Sequence, residues 1–197
     1  MSKILVCGDS FAADWSLHKN GLGWPNLLAT EHDVTNLAQA GCGQYKIYLQ
    51  LKSISNLNDF DAIIISHTSP NRLYTKSHPV HDQSSLHANS DLLYTDIKQH
   101  SKTDKSLKSL VDYFERYFDQ DYANFVHTLI CKEIEEVLME YTGKIIHVTG
   151  FDWTGLYQYP NMISFAKLAK ANKGYINHFD EEGNNNVLSC IRHRLAE

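Results

Sequence analysis

The 197-residue sequence is poor in cysteine, long apolar runs and positive charge, and each shortage excludes a class of protein. Four cysteines, Cys7, Cys42, Cys131 and Cys190, are scattered with no C-x-x-C pair. That rules out a disulfide-dense scaffold and implies reduced thiols. No apolar run approaches the roughly 18 residues of a membrane span. The opening MSKILVCGDS also has too few apolar residues before Gly8 for a secretory core of roughly 7 to 15. A cytoplasmic protein without a membrane partner is therefore expected. Lysine and arginine number 18 against 23 acidic residues, for a net charge of −5, so no broad basic footprint for nucleic acid exists. Neither G-x-G-x-x-G nor G-x-x-x-x-G-K-[ST] follows the first apolar run, which argues against a nucleotide-binding sheet.

What is present is an ordinary globular composition, 43% hydrophobic and 21% charged, in a length that suits one domain spanning 1–197. Lys3 to Cys7 is a short apolar run of the type buried on both faces of a sheet, with Cys7 expected to pack in the core. Trp24-Pro25 opens a helix to about Glu31, with Pro25 where a missing N–H costs little. Val34 to Ala38 predicts a second strand, which leads through Gly41-Cys42-Gly43 into a helix marked by Ile47, Leu51 and Ile54. Asp61 to Ser66 predicts a third strand and Lys144 to Thr149 a fourth.

Between them the pattern dissolves from about 74 to 104 into a polar insertion, expected as a long surface loop with short helical pieces. Two helices follow, one marked by Leu107 to Phe118 and a longer one from Tyr122 to Tyr141 whose aromatic stripe is expected in the core. Val187 to Leu195 predicts a closing helix.

Strands alternating with helices predict a three-layer, flavodoxin-like α/β sandwich with a mostly parallel sheet. All the glycine-polar turns then gather at the carboxyl edge: Gly8-Asp9-Ser10, the Gly41 turn and Thr68 to Arg72. His178, just before the last helix, can return to the same rim. A serine needs a base within reach and pre-set donors for the oxyanion formed on attack. Ser10, His178 and the backbone N–H groups of Ser10 and Gly41 offer that set.

The residues also resemble a known family, the SGNH (GDSL-type) hydrolases. Val6-Cys7-Gly8-Asp9-Ser10-Phe11 is similar to that family's first block, and Val34 to Gly41 to its second. Gly23 to Leu28 looks like the helix between them, and His178 to Asn184 resembles the last block. The resemblance covers most of the chain outside the insertion. It implies Ser10 as nucleophile, His178 as base, Gly41 as an oxyanion donor, and no cofactor.

Two positions depart from the family pattern. Its third block is Gly-x-Asn-Asp, whereas this strand runs into Ser66-His67-Thr68-Ser69-Pro70-Asn71-Arg72. Pro70 falls where the asparagine belongs, and a one-residue slip is needed to bring Asn71 there as the remaining oxyanion donor. Thr68 is an alternative. The family also places an aspartate three residues before its histidine, where this chain has Tyr175; Asp180, Asp152 or a backbone carbonyl is left to orient His178.

Within the insertion, His78-Pro79-Val80-His81 has H-x-x-H spacing, but no companion carboxylate or cysteine stands at ligand spacing, so no metal site is expected. The resemblance implies an ester hydrolase acting through an acyl-enzyme on a small ester or an acylated carbohydrate. The alternative is a binding or structural protein that keeps the fold without efficient catalysis.

Overall fold

The computed structural model describes residues 1–16, 22–81, 86–171 and 179–197. Five strands form one fully parallel sheet: β1 (Lys3–Gly8), β2 (Asp33–Asn36), β3 (Ala62–His67), β6 (Lys144–Thr149) and β7 (Ile163–Ser164), in the order β2-β1-β3-β6-β7. Successive side chains on a strand face opposite sides, and the apolar residues divide accordingly. Ile4, Val6 and Ile64 pack with α1 (Trp24–Leu28) and α7 (Glu181–Ala196). Leu5, Cys7, Ile63 and Ile65 pack on the other face, against α2 (Gln44–Lys52) and α5 (Gln120–Leu138). This is the three-layer, flavodoxin-like sandwich.

Several elements differ from their sequence-based bounds. α1 stops at Leu28, because a five-residue helix held by Trp24, Pro25 and Leu28 is all that the core covers. The closing helix begins earlier than Val187: the Asp180 carboxylate accepts from Gly183 N at 2.8 Å and caps the first turn from Glu181. The edge strand β7 went unanticipated, since two residues, Ile163 and Ser164, carry no periodic signal.

The aromatic stripe of α5 is not the core stripe. Tyr122, Phe125 and Leu129 are exposed, while His127, Cys131, Ile134 and Leu138 are buried. The apolar arc is wider than the face that α2 and the sheet can cover, so its outer edge is left in solvent.

The insertion has a core of its own. β4 (Arg72–Leu73) pairs antiparallel with β5 (Leu92–Leu93), and α3 (Tyr94–His100) and α4 (Lys108–Arg116) enclose Leu92, Ile97, Leu107 and Phe114. Among the described residues no helix is long and apolar enough to cross a membrane.

Candidate active site

In this sheet order the chain leaves β1 toward β2 and crosses back to β3, so the carboxyl ends of β1 and β3 flank the crevice where open α/β sheets bind ligands. The two strand ends approach closely. A Cβ on Gly8 would stand 2.6 Å from Ser66 Cβ, so glycine is required before the turn that follows. Gln50 completes the strand end from α2, accepting from Gly8 N at 2.7 Å and donating to Gly8 O at 3.1 Å.

Asp9 is fully buried beneath that turn, where Oδ1 accepts from Phe11 N and from Ser66 Oγ, both at 3.1 Å. Burial raises its pKa to about 6 against the opposing charge of Arg72. Two indoles fix the outgoing carbonyls: Trp15 Nε1 donates to Ser10 O and Trp24 Nε1 to Phe11 O, each at 2.8 Å. Ser10 is thereby held in a tied turn and lines a cavity of about 700 Å³.

Gly41 and Asn71 line the same cavity, so three separated stretches meet there. Gly41 has φ +79°, a left-handed conformation, and a Cβ there would overlap Ser90 Oγ. Ser90 and Asp91 come from the insertion, which clamps this turn. Ser90 Oγ donates to Ala40 O at 3.1 Å, and Asp91 N donates to Gly41 O at 2.9 Å. The Asp91 carboxylate accepts from Gly43 N at 2.8 Å and Thr75 N at 3.0 Å, and pairs with Lys46 at 2.8 Å. The insertion is therefore built into the rim as well as lying over it. No sequence pattern signalled this, because the clamp depends on contacts across about fifty positions.

Asn71 is exposed and lines the cavity. Thr68 is fully buried, and its hydroxyl accepts from Arg72 Nε at 3.3 Å. Arg72 lines the cavity as well, with Nη1 donating to Gly41 O at 3.3 Å.

His178 and Tyr175 lie outside the described residues. Their neighbours are described: Phe179 packs on Phe11 with ring centroids 5.0 Å apart. Asn184 accepts from Trp24 N at 2.9 Å and donates to Phe179 O at 3.1 Å. Of the two carboxylates named for orienting His178, Asp180 caps α7, and Asp152 lines the cavity with Oδ1 accepting from Thr154 N and Oγ1. Those Thr154 contacts hold Asp152 below the ordinary carboxylate range.

Beneath the rim lies a buried polar chain that the sequence did not announce. Gln44 Nε2 donates to His67 Nδ1 at 2.7 Å, which makes His67 Nε2 the donor to His147 Nδ1 at 2.9 Å. Tyr159 stacks on both imidazoles, with centroids 4.3 and 4.1 Å away. Gln44 Oε1 accepts from Thr68 N at 3.2 Å, and His127 Nε2 donates to Thr68 O at 2.9 Å. The chain thus fixes Thr68, on which Arg72 leans. Burial keeps the imidazoles neutral, pushing His147 down to about 4 and lowering His67 and His127 as well.

The insertion also supplies the carboxylate that the H-x-x-H spacing lacked. His78, His81 and Asp96 bring ligand atoms within 4.8 Å of one another, and His81 Nε2 stands 2.8 Å from Asp96 Oδ2. The i, i+4 pair Asp96 and His100 on α3 was the available sequence signal. A cation does not fit all three residues. His78 Nδ1 accepts from Val80 N and His81 N, both at 3.1 Å, so its proton sits on Nε2, and that nitrogen has no lone pair to offer.

No protein-family model matches the chain, and no curated protein does. Solved structures do. An esterase from Pseudoalteromonas sp., inhibited by monoethylphosphonate, is 12% identical with TM-score 0.43, over 100% of this chain and 97% of that one. A lipase/acylhydrolase from Enterococcus faecalis is 12% identical with TM-score 0.40, over 99% and 95%. A catalytic mutant of an acetylxylan esterase from Geobacillus stearothermophilus is 12% identical with TM-score 0.38, over 98% and 94%. In the order of its own sequence blocks, and in the parallel sheet that carries them, this chain is similar to the SGNH (GDSL-type) hydrolases.

Proposed function

We propose that the protein is a serine ester hydrolase of the SGNH type, acting on a small ester or an acylated carbohydrate. Ser10 Oγ attacks the ester carbonyl carbon and His178 takes the hydroxyl proton. The carbonyl oxygen becomes an oxyanion facing the N–H groups of Ser10 and Gly41 and the Asn71 amide. Collapse expels the alcohol, which receives the proton from His178. Water then attacks the acyl-enzyme by the same route, releasing the acid and restoring Ser10.

The observation that carries this reading is the meeting of Ser10, Gly41 and Asn71 in one cavity at the β1/β3 crevice. The packing of Phe179 on Phe11 supports the base assignment, because each aromatic residue directly follows one of the two reacting residues. No cofactor takes part in the scheme.

Hydrolysis of p-nitrophenyl acetate tests it. Wild type should exceed background, with Ser10→Ala at background and His178→Ala reduced on the order of 1,000-fold or more. Equal background rates for wild type and Ser10→Ala would favour a binding protein on this fold. Undiminished hydrolysis by His178→Ala would sink the base assignment alone.

A further inference from the structure

The third block of this chain ends in an arginine, and its surroundings are specific. Arg72 is half-buried, lies on the two-residue strand β4 and lines the Ser10 cavity. One N–H is spent on Thr68 Oγ1 and one on the carbonyl of Gly41, each at 3.3 Å. A guanidinium has five N–H groups, so three remain. No carboxylate among the described residues accepts one of them; the nearby acidic Asp91 is taken up by Lys46, Gly43 N and Thr75 N. Around Arg72 the neighbours are tied: β5 pairs with its strand, and the Gln44–His67–His147 chain and His127 hydrogen-bond Thr68.

We propose that Arg72 is a catalytic residue that donates to the tetrahedral oxyanion, supplying from this third block a cationic donor where the related pattern carries a neutral amide. The proposal rests on the Ser10 reading above. As the Ser10 Oγ–carbon bond forms, the carbonyl π pair moves onto oxygen, and the free guanidinium N–H groups meet the charge at the moment it appears. Proton transfers are unaltered, since Arg72 stays protonated throughout. A half-buried, hydrogen-bonded cation stabilises such a charge more strongly than an exposed amide. The tether to Gly41 O holds the guanidinium beside the residue whose own N–H is the backbone donor.

Two measurements on the whole protein test this. The first is the rate at which a fluorophosphonate labels Ser10. Arg72→Gln should label at least about 30-fold more slowly than wild type. Equal rates would overturn the role of Arg72 and leave Ser10 standing, whereas a wild type that is not labelled at all would overturn both readings.

The second is turnover of the neutral ester p-nitrophenyl acetate. Arg72→Gln and Arg72→Ala should lose on the order of 100-fold in kcat with KM within about threefold. Arg72→Lys should retain part of the rate, and added guanidinium chloride at low millimolar concentration should partly restore Arg72→Ala. A loss confined to KM on negatively charged esters would show a substrate anchor instead. A kcat loss that guanidinium leaves unmoved, with a lowered melting temperature, would show a purely structural arginine. Either outcome overturns the proposal.

Discussion

Phe179 sits on Phe11, ring centroids 5.0 Å apart and planes tilted by 50°, joining the residue after His178 to the residue after Ser10. Both rings are nearly fully buried, and Phe151 adds an edge-on contact to Phe11 at 5.2 Å. Phe179→Ala should therefore cost about 3–5 kcal/mol, the usual range for deleting a buried aromatic ring. Urea denaturation measures this. If hydrolysis depends on His178, the rate of the folded variant should fall as well, while Phe179→Leu should keep most of both.

Gly41 is the glycine whose replacement is hardest to absorb. Gly41→Ala meets Ser90 Oγ and retains a left-handed φ of +79°, two independent penalties. A loss of about 2–4 kcal/mol and of most ester hydrolysis is expected. The double variant Gly41→Ala with Ser90→Gly should recover the steric share of stability but not the backbone strain. Thermal denaturation of the single and double variants separates the two penalties.

Asp91 ties the insertion to the glycine turn. In Asp91→Ala, Gly43 N and Thr75 N lose their acceptor and Lys46 loses its counter-ion in a largely buried place. Removing one partner of such a pair should cost about 3–5 kcal/mol. Proteolysis should then cut first within the insertion, and p-nitrophenyl acetate hydrolysis should fall without change at Ser10 itself. An insertion no more susceptible than in wild type would refute the clamp.

Stability should decline as pH falls from about 6.5. Burial pushes the pKa of His147 down to about 4 and lowers those of His67 and His127. In the unfolded chain these imidazoles bind protons near 6.5, so the unfolded state takes up more protons between the two values. His147 contributes stability that is complete above 6.5 and lost toward 4, by up to about 1.4 kcal/mol per pH unit, and His67 and His127 act in the same direction. Asp9 acts in the opposite sense: with its folded pKa raised to about 6, the stability it adds is present at low pH and gone above 6. The net expectation is a fall of about 1–3 kcal/mol per unit between pH 6 and 5. Urea titrations at pH 7.5, 6.5 and 5.5 measure it, and His147→Gln should flatten the slope.

Much of the sheet was legible in the sequence, because KILVC and DAIIIS are continuous runs that only a strand covered on both faces can bury. The turn glycines were legible for the same local reason. β7 was not, being two residues held by pairing to β6. Nor was the exposed side of α5: Tyr122 and Phe125 have core chemistry, and the width of the neighbouring layer decided which apolar residues it could cover.

The site divides in the same way. Ser10 and Gly41 stand out in sequence because a nucleophile turn and a left-handed turn require particular residues at particular places. Arg72, Asp91 and the Gln44–His67–His147 chain carry no such local mark. Their partners lie between 23 and 80 residues away for the buried chain, and each residue type is common on any surface. The sequence alone determined the layers, the order of the turns and a serine at the end of the first strand, since these follow from short-range periodicity and backbone preference. Only the tertiary structure decided that the insertion clamps the glycine turn and that Arg72 lines the cavity beside Asn71. Those outcomes depend on which distant polar groups are buried together, where each must find a partner or cost the fold its desolvation.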